Sequence, residues 1–184
     1  IEKIQQVVKK TNGCLAWGGA LDLAPADDIF IQIEYPLAID PMLLPSIMSK
    51  KIAAGAQAIV LDVKVGQGAF METLEKAHEL AQLMAQIGDL AGRAVVCLLS
   101  DMNQPLGNSV GNALEVKEAI EALKGGGPPD FREHCLLVSS HMLKIGGRAR
   151  DLTEGRHMAE VAVSNGSAPE KLRVLAEAQG ARVR

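Results

Sequence analysis

The sequence predicts an α/β fold: a parallel sheet with flanking helices, joined to part of a small all-helical domain. Three observations carry this. Residues 58–63 and 94–99 are short, almost wholly apolar runs, the signature of strands buried on both faces. Between them, residues 72–91 place Leu74, Ala77, Ala81, Met84 and Ile87 inward at helical spacing. A strand, a helix and a second strand in that order imply a parallel pair with a right-handed crossover.

Residues 1–12 read as the end of a helix, with Ile1, Ile4, Val7 and Val8 on one face and Gly13 as its stop. Residues 14–17 read as a short apolar strand or turn closed by Gly18-Gly19, and residues 21–28 as a loop containing Pro25. Ile29-Phe30-Ile31-Gln32-Ile33 reads as a strand. Asp40-Pro41 offers a helix cap followed by proline. Pro45, four residues later, lacks a backbone donor, so the regular helix is expected to start there and to end at Gly55.

Beyond the second strand, helices are expected over 110–123 and 131–145, each stopped by glycines. Two short helices follow. Asp151 with Glu154 and Ser167 with Glu170 are spaced as capping boxes, and Gly180 ends the last helix. The division expected is 1–56, linker strands and part of the helical domain, and 57–184, part of the α/β domain. The chain opens at Ile1 inside a helical pattern with no initiator Met, so it reads as a piece of a longer protein truncated at both ends.

Composition narrows the function classes. Apolar residues make up 48% and charged residues 22% of 184, ordinary for a globular protein, while 3% aromatics imply a core of Ala, Val, Leu, Ile and Met. A net charge of −3 supplies no basic excess for nucleic acid or an anionic membrane. No apolar run reaches the roughly 20 residues of a membrane helix, and no signal peptide is visible. Cys14, Cys97 and Cys135 are widely spaced in apolar surroundings and read as reduced, buried thiols of a cytoplasmic protein.

Three segments hold the candidate chemistry. Ser46 and Lys50 lie four apart on one helix face, so a hydroxyl and an ammonium face either a ring carbonyl or solvent. Lys51 points elsewhere, toward solvent. Val65-Gly66-Gln67-Gly68-Ala69 follows a strand, and its amides either approach a phosphate or sugar or simply turn the chain. Lys64 beside it reaches into a cleft or flanks the strand. Asp101, Asn103 and Gln104 could contact a ribose or fix a loop. Leu106, Gly107, Asn108 and Ser109 lead into the helix bearing Glu118. Main-chain carbonyls from that turn with one carboxylate would make an oxygen-ligand cation site, the alternative being an ordinary surface glutamate. His78, His134, His141 and His157 all fall in helices, with no catalytic partner recognisable. No Walker A, full GxGxxG, HExxH or GxSxG pattern occurs.

Leu44-Pro45-Ser46-Ile47-Met48-Ser49-Lys50-Lys51, Asp62-Val63-Lys64-Val65-Gly66 with Gly68-Ala69-Phe70-Met71, and Gln104-Pro105-Leu106-Gly107 with Val110-Gly111-Asn112-Ala113-Leu114-Glu115-Val116, in this order, resemble the pyrimidine nucleoside and thymidine phosphorylase family. The resemblance implies a pentosyltransferase that converts a nucleoside and phosphate into a free base and a pentose 1-phosphate. It implies a cleft between a helical and an α/β domain, no organic cofactor, phosphate as co-substrate, a monovalent cation such as K⁺, and a homodimer in the full-length protein. Ser46 and Lys50 match the base-binding serine and lysine, with Lys50 the catalytic candidate. Leu106, Ser109 and Glu118 match the cation-holding positions, two through main-chain oxygens and one through its carboxylate.

The family's base-binding arginine falls at Ile31 here. The neighbouring Gln32 enters the base-binding set as a hydrogen-bonding residue without charge. Residues 21–28 and 33–37 look more like a longer branch that includes nucleotide phosphorylases. The family's phosphate loops and catalytic histidine have no counterpart in these residues, so the chain alone is expected to be inactive. The competing readings are a related phosphoribosyltransferase, which would want a diphosphate-and-magnesium motif, and a non-catalytic binding module that kept the fold.

Overall fold

The computed structural model describes residues 2–16, 24–37 and 43–182. The elements run α1 (Glu2–Thr11), α2 (Pro25–Leu37), α3 (Leu43–Ala53), β1 (Ala58–Val65), α4 (Leu74–Leu90), β2 (Ala94–Asp101), α5 (Asn112–Leu123), α6 (Pro129–Ile145), α7 (Leu152–Ser164) and α8 (Ser167–Ala178). The mixed α/β fold is as expected. β1 and β2 pair in parallel, in register from Ala58 opposite Ala94 to Val65 opposite Asp101. Both strands run two residues further than the apolar runs suggested, so Lys64 and Asp101 are strand residues and not loop residues.

Alternation along β1 sets the two sides of the sheet. Ile59, Leu61 and Val63 are buried in the main core with Met48 of α3 and Ala77 and Met84 of α4. Asp62 and Lys64 take the intervening positions, toward α6, which also packs on β1. On α4, Ala77, Ala81 and Met84 face the core as expected, but Leu74 is exposed at the helix start. Thr73 caps α4, its side chain accepting from the Lys76 N–H. Gly88 permits close packing of α4 on β2, where a Cβ would strike the Val95 side chain. Gly155 does the same for α7 on α6, its missing Cβ lying against the Ser140 backbone.

One expected strand is a helix. Residues 29–33 lie within α2, because Pro25 is pre-set for the first helical turn and Asp27 and Asp28 sit favourably at the helix N-terminus. A short apolar run alone does not separate strand from helix. α3 begins at Leu43, two residues before Pro45, since a first-turn residue needs no intrahelical donor. Asp151 caps α7 by accepting from the Glu154 N–H (2.8 Å), but Glu154 reaches back to the Arg150 N–H (2.7 Å), one residue earlier than a capping box. Ser167 is not a cap: it is the first residue of α8, behind Gly166, and its hydroxyl donates to the Ala162 carbonyl.

The cysteines are unpaired, but none is fully buried, and Cys135 is exposed on α6, against the expectation of buried thiols. Lys51 is not solvated as expected: it is half-buried and its ammonium donates to the Ile47 carbonyl (3.0 Å), with burial lowering its pKa below the usual lysine value. Ile1, the Gly18-Gly19 turn, residues 21–23 of the expected loop and the Asp40-Pro41 cap lie outside the described residues, while Pro25 to Asp28 of that loop are the first residues of α2. Among the described residues no helix is long and apolar enough to cross a membrane.

Candidate functional site

Ser46 and Lys50 share a face of α3, and that face meets the start of α2. The Lys50 ammonium lies 2.8 Å from Asp27 Oδ2 and 3.2 Å from Asp28 Oδ1. The Asp27 contact is an ion pair whose angle falls outside hydrogen-bond geometry, leaving Oδ2 buried without a formal hydrogen bond. Asp27 is the buried charged residue among the described residues, only 7% exposed. Its burial works to raise its pKa, but the Lys50 ammonium and the Ser46 hydroxyl outweigh that and hold the carboxyl below the usual range. Conversely Asp27, opposed by burial and helped by Asp28, holds the Lys50 ammonium above the usual lysine value. Lys50 is therefore a fixed cation on a half-buried face. Gln32 is exposed on α2, one turn beyond Asp28.

The glycine loop after β1 is built against the turn after β2. The Gly68 N–H donates to the Met102 carbonyl and the Gln67 N–H to Asn103 Oδ1. Gly66 has φ 131°, and a Cβ there would strike Asn103. Asp101 accepts from the Asn103 N–H (3.1 Å) and from Gln104 Nε2 (3.0 Å), so it fixes its own turn. The amides of Gln67 and Gly68 are thus engaged within the protein.

Glu118 closes the turn ahead of α5. Its carboxylate accepts from the Asn108 N–H (3.1 Å), the Ser109 N–H (3.4 Å) and Ser109 Oγ (3.1 Å). Gly107 has φ 74°, and a Cβ there would collide with that carboxylate. The Gly107 N–H donates instead to Asp130 Oδ2 (3.1 Å) at the start of α6. Ser109 and Glu118 are therefore together, with half-buried Leu106 at the near end of the same turn. The Glu118 carboxylate is a hard oxygen ligand of the kind a cation takes, and its neighbours here are N–H and O–H donors.

A second polar cluster had no sequence signal as a whole. Asp62 Oδ2 lies 2.7 Å from Lys64 Nζ and 2.7 Å from His134 Nε2, and Ser100 Oγ donates to Asp62 Oδ1 (2.5 Å). Lys64 Nζ is also 3.4 Å from His134 Nε2. Burial raises the Asp62 pKa, but Lys64, Ser100 and His134 together bring it below the usual carboxylate value. Strand alternation places Asp62 and Lys64 on one face; nothing in the sequence reveals that α6 brings His134 to them from 72 residues away. Asp27 and Asp28 carry no such signal either, because residues 21–28 read as a loop whereas Pro25 to Asp28 open α2. Among the described residues no group of three or more His, Cys, Asp or Glu side chains could hold a metal ion.

A parallel pair, a helix face carrying serine and lysine, and two glycine-bearing turns at the carboxyl ends of the strands make an α/β unit of the kind that takes ligands beside the ends of its strands. Residues 36–169 match the glycosyl transferase family, a/b domain, and the chain belongs to that family. It is 55% identical over 166 residues to the pyrimidine-nucleoside phosphorylase of Geobacillus stearothermophilus, covering 89% of this chain and 38% of that protein. It is 53% identical over 143 residues to the Staphylococcus haemolyticus enzyme of the same name, covering 78% of this chain and 33% of that one. To the AMP phosphorylase of Thermofilum pendens it is 41% identical over 180 residues, 98% of this chain and 34% of that enzyme. The chain thus spans well under half the length of the curated relatives it matches.

Proposed function

We propose that this chain carries the base-side half of a pyrimidine nucleoside phosphorylase site, in a pentosyltransferase that takes a pyrimidine nucleoside and phosphate to free base and pentose 1-phosphate. The observation that carries the reading is the Ser46/Lys50 face of α3, with its ammonium held in place by Asp27 and Asp28. High identity to two proteins named pyrimidine-nucleoside phosphorylase supports the substrate class.

In this reading a phosphate oxygen bonds to the anomeric carbon as the bond from that carbon to the base nitrogen breaks, and the bonding pair leaves with the base. Negative charge grows on the pyrimidine ring oxygens. Lys50 donates to one of them and binds more strongly as charge develops, which lowers the barrier. Ser46 orients the ring, and Gln32 adds an uncharged hydrogen bond. Leu106, Ser109 and Glu118 would hold a K⁺-like cation, two through main-chain oxygens and one through its carboxylate, and that ion would steady the turn before α5. The division into a base-binding part (1–56) and an α/β part (57–184) belongs to the same proposal. So does a homodimer, supported by the exposed apolar residues Ile29, Phe30, Ile33 and Leu37 on α2. Three unpaired cysteines support a cytoplasmic location.

Calorimetric titration with uracil, thymine, uridine, thymidine and AMP, with and without phosphate, tests this. The expected result is saturable binding of uracil or thymine, lost in Lys50→Ala, with no phosphorolysis by the chain alone. Absence of base binding by the folded chain, or preference for AMP, would contradict it.

A further inference from the structure

We propose that Asp27 is a positioning residue for Lys50, and that Asp28 is the exchangeable partner whose place on the ammonium a ligand's carbonyl oxygen takes. The inference rests on the reading of Lys50 as a base contact. The two carboxylates touch the same ammonium from unequal surroundings. The Asp27 side chain is 8% exposed and the Asp28 side chain 28%, with Lys50 between them at 26%. A buried carboxylate is held to its cation, because either group left alone would be an uncompensated charge. A more exposed carboxylate separates at little cost, since water solvates it as it leaves.

An ammonium has three N–H donors, and among the described residues the two carboxylates are its ion-pair partners. The ammonium therefore keeps N–H capacity for a further acceptor, and more opens when Asp28 gives way. Lys50 is anchored at Asp27 throughout. The anchor matters because a lysine side chain has four rotatable bonds, and donation to a ring oxygen needs it fixed in one geometry. Pro25 sets the helix start that puts Asp27 on the first turn of α2, so the helix that lacks a base-binding arginine still contributes to the site, through a carboxylate behind the lysine.

The test uses the full 184-residue chain. Uracil is titrated calorimetrically into the parent, Asp27→Asn, Asp27→Glu, Asp28→Asn and Lys50→Ala. In parallel, lysines are reductively methylated with ¹³C-formaldehyde, and the titration of each is followed by NMR, with Lys50 assigned by its loss in Lys50→Arg. Asp27→Asn is expected to weaken uracil binding about tenfold or more and to move the Lys50 titration to lower pH, with the circular dichroism unchanged. Asp27→Glu restores part of both. Asp28→Asn binds uracil at least as tightly as the parent. If Asp27→Asn binds as the parent does, if its Lys50 titration is unmoved, or if Asp28→Asn is the more damaged variant, the proposal is overturned. Should Asp27→Asn not fold, the parent decides: Lys50 titrating no higher than the other methylated lysines of the same sample overturns it. Lys50→Ala binding uracil normally would instead sink the base-contact reading, whereas loss there with Asp27→Asn intact sinks only the anchor.

Discussion

Asp62 accepts from a hydroxyl and pairs with an ammonium and an imidazole, all from different elements or positions, and its folded pKa is depressed by them. The stability this contributes is present above the unfolded carboxylate value of about 3.9 and is lost as pH falls through the lower folded pKa. Thermal melts from pH 7 down to pH 2 should therefore fall less steeply below about pH 4 in Asp62→Asn than in the parent; an unchanged acid limb would show that the cluster contributes nothing. Glu118 acts on backbone instead. Glu118→Ala leaves the Asn108 and Ser109 amides without their acceptor, and their hydrogen exchange should accelerate about tenfold or more while exchange in α4 stays put. This change is also the direct check on whether the turn depends on the carboxylate.

At the scale of elements, α4 bears most of the packing on the sheet and gives the clearest stability predictions. Met84, 1% exposed, touches the Ile59–Val63 face, and Met84→Ala should cost about 2–5 kcal/mol by urea unfolding. Thr73→Ala removes the cap at the helix start and should cost about 1 kcal/mol in the same assay. The legibility of the elements follows from their signals. β1, α4 and β2 were readable because apolar runs and a 3.6-residue repeat alternate cleanly, and the glycines at 146, 147 and 180 stop helices where expected. α2 was not, since its apolar residues 29–33 form an unbroken run whose helical nature is decided by Pro25 and the two aspartates ahead of it. The caps of α7 and α8 show a further limit: the S/D-x-x-E spacing recurs, but backbone geometry decides which amide the side chains reach.

For the whole molecule, the sequence order of three motifs was enough to indicate the family, because each motif sits at a turn or face the fold must keep: the α3 face, the loop after β1 and the turn before α5. What remained hidden was contact across the chain. Sequence spacing marks the ammonium of Lys50 but not its two carboxylates, and Lys64 but not its link to His134 through Asp62. Such pairs depend on how helices dock, which local spacing does not encode. The glycine loop, weighed between ligand cradle and turn, has Gln67 and Gly68 amides engaged with residues 102 and 103, which favours its role as scaffold. The central claim is that the Ser46/Lys50 face contacts a pyrimidine base, and the most direct measurement is an NMR titration of the isotopically labelled chain with uracil. The account predicts saturable shifts centred on Ser46 and Lys50 of α3 and on Asp27 and Asp28 of α2. Shifts confined to α6–α8, or none at all, would contradict it.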